Sequence, residues 1–180
     1  MVNEERIIEL IEDPQTCYEG FQLLVENYQK AIYWHIRRLV VNHEDAEDIM
    51  QESLIKIYRY IYSFKGESSL KTWIYRVVTN EVIRHCSRKR LTMESYDEKS
   101  RLVTMFRAEN HVDFSSAEHK LHLAILSLPE KQRIIFNMRH FEDMSYEQIS
   151  KVMGCSIATL RTNYHYASEK IKNYIVKSVK

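Results

Sequence analysis

The sequence predicts an all-α chain: two small helical domains joined by a flexible linker, the second carrying a helix-turn-helix. Three observations predict it. Only 3 glycines and 2 prolines occur among 180 residues, about 3% where average usage is about 12%, which excludes turn-rich all-β folds. Apolar residues recur with a helical period nearly everywhere. Between residues 91 and 116 that period is lost, and Ser, Asp, Glu, Lys and Asn gather around a few apolar residues, as in an interdomain linker. The expected units are therefore 1–90, a linker 91–116, and 117–180. A composition of 44% hydrophobic and 28% charged residues is that of a folded chain rather than a disordered one.

Residues 5 to 11 and 18 to 41 read as helices broken around Asp13-Pro14, with Phe21, Leu24, Tyr28, Ile32 and Ile36 spaced as one core face. From Glu44 to Tyr62 the apolar set Ala46, Ile49, Met50, Leu54, Ile57 and Ile61 marks a buried stripe. Asp45, Asp48, Gln51 and Glu52 share the opposite side, a carboxylate and amide face presented to a partner. A polar break around Gly66 separates this helix from a third, expected from Leu70 to about Arg88. Beyond the linker, Leu128-Pro129 marks a helix start. Ser145-Tyr146-Glu147-Gln148 has capping-box spacing, and Gly154 suits the left-handed position that ends the short helix it begins. The next helix buries Ile157, Leu160, Tyr164, Ala167 and Ile171. Short helix, glycine turn and second helix have helix-turn-helix spacing.

Charge is segregated along the chain. Residues 1–55 sum to −8, residues 56–107 to +7 and residues 108–180 to +2, a pattern that suits a basic partner for the first third and a polyanion for the middle. In the third helix Arg76, Asn80, Arg84 and Arg88 recur every four residues and form a stripe that can follow a phosphate backbone. Asn80 adds a donor and an acceptor for base edges. In the helix-turn-helix, Ser156, Ala158, Thr159, Arg161 and Thr162 lie off the buried stripe and should face a major groove.

Other chemistry is absent from the pattern. His119 and His122 share a face, but no further ligands are spaced around them, so no metal is expected. No Gly-rich phosphate loop or nucleophile elbow occurs. The chain is expected to be no enzyme, without cofactor or small-molecule substrate. Cys17, Cys86 and Cys155 form no CxxC pair, no signal peptide is visible and no apolar run reaches ~20 residues, so a cytoplasmic location is expected.

The stretch Asp45 to Leu54, followed by Phe64-Lys65-Gly66, by Leu70 to Arg76 and by Asn80, resembles region two of extracytoplasmic-function sigma factors. Leu128 to Arg133, Ser145 to Ile149 and Thr159-Leu160-Arg161 resemble region four. The resemblance implies a transcription initiation factor that joins core RNA polymerase and reads two promoter elements. It implies that Asp45, Asp48, Gln51 and Glu52 dock on the polymerase. It places minus-ten DNA at Phe64, Lys65, Gly66, Ser68, Ser69, Arg76, Asn80, Arg84 and Arg88, with one base extruded into the loop. Minus-thirty-five DNA then falls to Ser156, Ala158, Thr159, Arg161 and Thr162. Trp73 is expected in the core, and Tyr75 is assigned to neither core nor site. Family members usually carry further arginines where this chain has Asn163, Tyr166 and Ser168. The partners implied are core polymerase, promoter DNA and an anti-sigma factor, with a monomeric free chain. The rival reading is a one-component regulator with a helical sensing domain, which leaves the first-half basic stripe and acidic helix without a purpose.

Overall fold

The computed structural model describes residues 4–92 and 117–178. Among the described residues there are eight α-helices, one 3-10 turn and no strand. The helices are α1 (Glu4–Glu12), α2 (Cys17–Leu39), α3 (His43–Tyr60) and α4 (Leu70–Thr92), then α5 (Ala117–Leu126), α6 (Glu130–His140), α7 (Tyr146–Met153) and α8 (Ile157–Ser178). The 3-10 turn, Ile61–Ser63, follows α3 directly. Helix α4 runs two residues past the expected domain boundary. The rest of the expected linker lies outside the described residues.

The first lobe packs α1 to α4 around Ile7, Leu24, Ile32, Ile36, Ile49, Ile57, Leu70 and Ile74, all 2% exposed or less. Helices α1 and α2 approach so closely at Gly20 that a Cβ there would sit 2.9 Å from Ile11 Cγ1 and Leu10 Cβ. A larger residue would force the two helices apart. Asn42 caps α3, its side chain accepting from the Asp45 amide at 3.1 Å. The stripe expected on α3 is buried at Ala46, Ile49, Ile57 and Ile61. Met50 and Leu54 are only half-buried, and the hydroxyl-bearing Ser53 fills the position between them.

In the second lobe Pro129 is the N-cap of α6 rather than part of its first turn. The capping box is present as read: Ser145 Oγ accepts from the Gln148 amide at 3.2 Å, and Gln148 Oε1 accepts from the Ser145 amide at 2.8 Å. Gly154 sits at φ 63°, the left-handed conformation that closes α7 without steric cost. Leu160, Ala167 and Ile171 hold α8 to the core.

The two lobes do not stand apart. One continuous buried cluster runs from Ile32, Ile36, Ile74 and Val78 of the first lobe to Ile134, Met138, Met144, Ile149 and Val152 of the second. A smaller cluster joins Val41 to Leu123 and Leu126. Helix α7 lies on α4, and α6 lies on α2. The joint is also polar. Glu142, in the turn after α6 and 8% exposed, accepts hydrogen bonds from Tyr75 Oη and, at 3.2 Å, from Arg38 Nη1. Lys71 Nζ donates to the Glu142 backbone carbonyl at 2.6 Å. His35 is fully buried beside them, its ring edge-on to Tyr75 at 4.9 Å. Asp143, which follows Glu142, has φ 51°, a left-handed conformation that Asp tolerates better than most residues.

Candidate nucleic-acid and docking surfaces

Four faces bear on function, and each is set by how its helix is capped and packed. On α3, burial of Ala46, Ile49, Ser53 and Ile57 turns Asp48, Gln51, Glu52 and Ile55 to solvent. These four form one wall of a groove whose other wall is Glu81, Arg84, His85 and Arg88 of α4. The expected acidic face and the expected basic stripe thus confront each other across two adjacent helices. Glu81, 4% exposed, is paired with Lys56 and with Arg84. Arg84 reaches across to Glu52 at 3.2 Å. Its hydrogen bond to Glu81 is the largest influence raising its pKa, so its charge is fixed.

Asp45 behaves differently from its neighbours. Its side chain is only 17% exposed and is held by Lys89 and by His85 Nε2 at 3.1 Å. It ties the start of α3 to the end of α4, so the presented face consists of Asp48, Gln51 and Glu52. The signal was unreadable locally because the partners lie 40 and 44 residues away.

Along α4, Arg76, Asn80 and Arg88 are exposed while Val78, Thr79, Glu81 and Val82 are buried. The turn before α4 forms a second groove, lined by Ser63, Phe64, Lys65, Glu67, Ser68, Thr72, Trp73 and Arg76 and by Lys151 of α7. Within it Phe64 and Trp73 meet edge to face at 5.9 Å. Trp73 is half-buried and packs on the core as well as lining the groove. Gly66 holds φ 69°, and a Cβ placed there meets nothing within 4 Å. The glycine therefore suits the left-handed backbone conformation, and the space beside it is open. The exposed Ser69 also caps α4: its hydroxyl accepts from the Thr72 amide at 3.2 Å and meets Thr72 Oγ1 at 2.8 Å. Tyr75 is buried and belongs to the joint between lobes.

The helix-turn-helix presents Ser156, Ala158, Thr159, Arg161 and Thr162 to solvent together. Ser156 doubles as the cap of α8, accepting from the Thr159 amide at 3.2 Å and meeting Thr159 Oγ1 at 2.9 Å. Thr162 donates back to the Ala158 carbonyl at 3.1 Å. Arg161 lies over the Tyr146 ring at 5.6 Å, and Arg139 approaches the same ring at 5.3 Å. Two guanidiniums therefore flank one tyrosine at the start of α7. Hydrogen bonds at the helix N-terminus, with Arg161 and Arg139 nearby, hold the Glu147 carboxyl below its usual range. Arg139 was missed in the sequence because it stands on α6, outside the motif. The exposed face continues down α8 through His165, Tyr166 and Glu169.

Comparison with known proteins gives a consistent result. The family model described as Sigma-70 region 2 matches residues 24–92, and that described as Sigma-70, region 4 matches residues 118–171. The chain is 31% identical to an ECF RNA polymerase sigma-E factor of Haemophilus influenzae, over 97% of this chain and 96% of that protein. It is 32% identical to an RNA polymerase sigma-H factor of Pseudomonas aeruginosa, over 95% of this chain and 94% of that protein. Among solved structures its fold is similar to the sigma factor RpoE of Bartonella quintana in complex with the anti-sigma factor NepR. That match has a TM-score of 0.69 at 22% identity, covering 87% of this chain and 97% of that one. It is also similar in fold to CnrH in complex with the cytosolic domain of CnrY, with a TM-score of 0.69 at 13% identity, covering 98% and 99%.

Proposed function

The chain belongs to the extracytoplasmic-function sigma factor family of bacterial RNA polymerase, and from that premise we propose a division of labour among its surfaces. Asp48, Gln51 and Glu52 dock on a basic surface of core polymerase. The groove before α4, with Arg76, Asn80 and Arg88, takes the minus-ten element as single strand. Arg161 and its neighbours on α8 take the minus-thirty-five element in the major groove. The observation that carries this reading is the exposure of all three sets on separate helical faces, each held in place by caps and core contacts.

The physical roles differ. Rim carboxylates set encounter rate and register more than raw affinity. The arginines neutralise phosphates and make binding depend on salt. The aromatic walls Phe64 and Trp73, beside Lys65 and Arg76, suit a stacked, unpaired base. Ser69 and Ser156 also cap their helices, which positions the neighbouring side chains. The chain works through binding, and it acts where the polymerase is, in the cytoplasm. Among the described residues no helix is long and apolar enough to cross a membrane. Two solved neighbours were captured with an anti-sigma factor and with the cytosolic domain of a partner protein. An inhibitory protein of that kind is proposed as the third partner.

The test is runoff transcription with core polymerase, with and without this chain, on fragments of the source genome. Discrete new transcripts that need the chain support the reading. Transcription independent of the chain, with operator binding by the chain alone as a dimer, would overturn it in favour of a one-component regulator.

A further inference from the structure

Tyr60, the last residue of α3, is 56% exposed. Among the described residues its ring has no aromatic or cationic partner and its hydroxyl no hydrogen bond; only its backbone carbonyl is used, by Ser63 Oγ at 2.6 Å. Lone exposed aromatics are common on protein surfaces and by themselves mark nothing. What distinguishes Tyr60 is the place at which the packing of α3 on α4 sets it.

The ion pairs between the two helices fix that place. Asp45 pairs with His85 and Lys89, Glu52 with Arg84, and Lys56 with Glu81. The helices therefore run antiparallel, and each turn forward along α3 moves one turn back along α4. One turn past Lys56 is Tyr60, and one turn back from Glu81 is Val77. The side of α4 that meets α3 thus carries Trp73, then Val77 opposite Tyr60, then Asn80 and Glu81. Val77 is half-buried and aliphatic, so it offers a base neither a ring to stack on nor a hydrogen bond. Tyr60 supplies a ring at that level. Trp73, in the wall of the groove before α4, lies four residues from Val77, about 6 Å along the helix. That is less than two steps of a stacked strand at about 3.4 Å each. A strand leaving the groove toward Asn80 must pass the tyrosine. The exposed Arg59 and Arg76 lie on either side of this path and suit its phosphates.

We propose that Tyr60 is a second stacking platform of the minus-ten site, holding the unpaired base next to the one taken by the groove and presenting its edge to Asn80. This rests on the sigma-factor reading above. The ligand is single-stranded DNA, because a base inside a duplex has no free face for the ring. Stacking supplies affinity that is tolerant of sequence, and Asn80, with one donor and one acceptor, supplies the preference. The other exposed tyrosines at this end of α3 do not share the role. Tyr58 packs on Phe21 of α2 at 4.9 Å, and the Tyr62 hydroxyl meets Cys17 of the same helix, so both belong to the opposite side of α3.

Holoenzyme assembled from core polymerase and the chain is titrated with a promoter bubble taken from the runoff transcripts, its non-template strand carrying a single abasic site at each position in turn. Tyr60→Ala should bind the intact bubble about tenfold more weakly, with an unchanged salt dependence and unchanged core affinity. Tyr60→Phe, which keeps the ring, should bind like the unaltered chain. Tyr62→Ala should leave binding unchanged. At one abasic position beside the groove base, the unaltered chain should lose about tenfold and Tyr60→Ala nothing further, since the ring and the base are then both already missing. Full affinity of Tyr60→Ala, or an added loss in that variant at every abasic position, would overturn the proposal. A loss in Tyr60→Phe equal to that in Tyr60→Ala would overturn it too. If no transcript depends on the chain, the sigma-factor reading is what fails. Anisotropy of a labelled oligodeoxyadenylate of about 20 nucleotides, titrated with the free chain, then still judges the platform: weaker binding by Tyr60→Ala alone supports it, and equal binding by both, none at all included, overturns it.

Discussion

His35 makes stability depend on pH in a way that can be calculated. Its ring is fully buried, neither ring nitrogen has a hydrogen-bond partner, and burial, with the nearby Arg38 charge adding to it, lowers its pKa from 6.5 to about 3. The groups facing it are Arg38 on its own helix, Tyr75 on α4 and Glu142, whose Oε1 lies 3.9 Å from Nδ1. In the unfolded chain the imidazole takes a proton below about pH 6.5, while in the folded chain it stays neutral down to about pH 3. The unfolded state therefore binds more protons in that window, and stability falls as pH drops through it. At pH 5 the gap to the unfolded pKa is about 1.5 units at 1.36 kcal/mol each, so His35 removes about 2 kcal/mol of the stability present at pH 7.5. Urea unfolding followed by circular dichroism at pH 7.5 and 5.0 measures this. His35→Leu, which cannot titrate, should lose about 2 kcal/mol less between those two values than the unaltered chain. Equal losses in both proteins would refute the argument, because the other seven histidines are common to both.

Asp48→Arg with Glu52→Arg should weaken core binding by at least tenfold while leaving the helical spectrum unchanged, since both side chains are exposed; unchanged affinity in a pull-down titration would move the docking face elsewhere. Replacing Asn80 should change which minus-ten sequences are used, whereas Arg88→Ala should weaken all of them and flatten the salt dependence by about one phosphate. Arg84→Ala should cost stability as well, because it strips Glu81 of a partner, and thermal melting separates the two effects. Arg161→Ala should reduce transcription from promoters that depend on the minus-thirty-five element by about 1 to 3 kcal/mol in binding, with core affinity intact. Gly20→Ala should destabilise the first lobe by about 1 to 3 kcal/mol through the clash with Leu10 and Ile11, seen as an earlier urea midpoint with an unchanged slope.

What could be read from the sequence is what neighbours in the chain decide. The capping box at Ser145, the left-handed Gly154 and the stripe through Leu160, Ala167 and Ile171 all depend on residues within a few turns, and all are present. The caps at Ser69 and Ser156 follow the same local rule. The joint between lobes was not legible. Glu142 meets Tyr75 and Arg38 across 67 and 104 residues, and nothing in the periodicity of α6 marks a carboxylate as buried. The same holds for Asp45, which looks like its exposed neighbours until α4 is laid against it. Arg84 illustrates a subtler limit. Its four-residue spacing put it correctly on the outer stripe of α4, but spacing cannot show that α3 sets two carboxylates around it.

That last arrangement has a thermodynamic consequence. Arg84 offers a fixed number of N–H donors, and Glu52 and Glu81 already claim part of them. A ligand that draws Glu52 away leaves the guanidinium with less negative charge around it and more donors for a phosphate. A phosphate that draws Arg84 away leaves Glu52 unneutralised for a basic ligand. The two bindings are therefore heterotropically linked with positive sign, and linkage requires each to strengthen the other by the same factor. One ion pair between adjacent helices thus makes the order of assembly on this lobe immaterial to the final equilibrium, while ensuring that neither occupant is held as well alone as both are together.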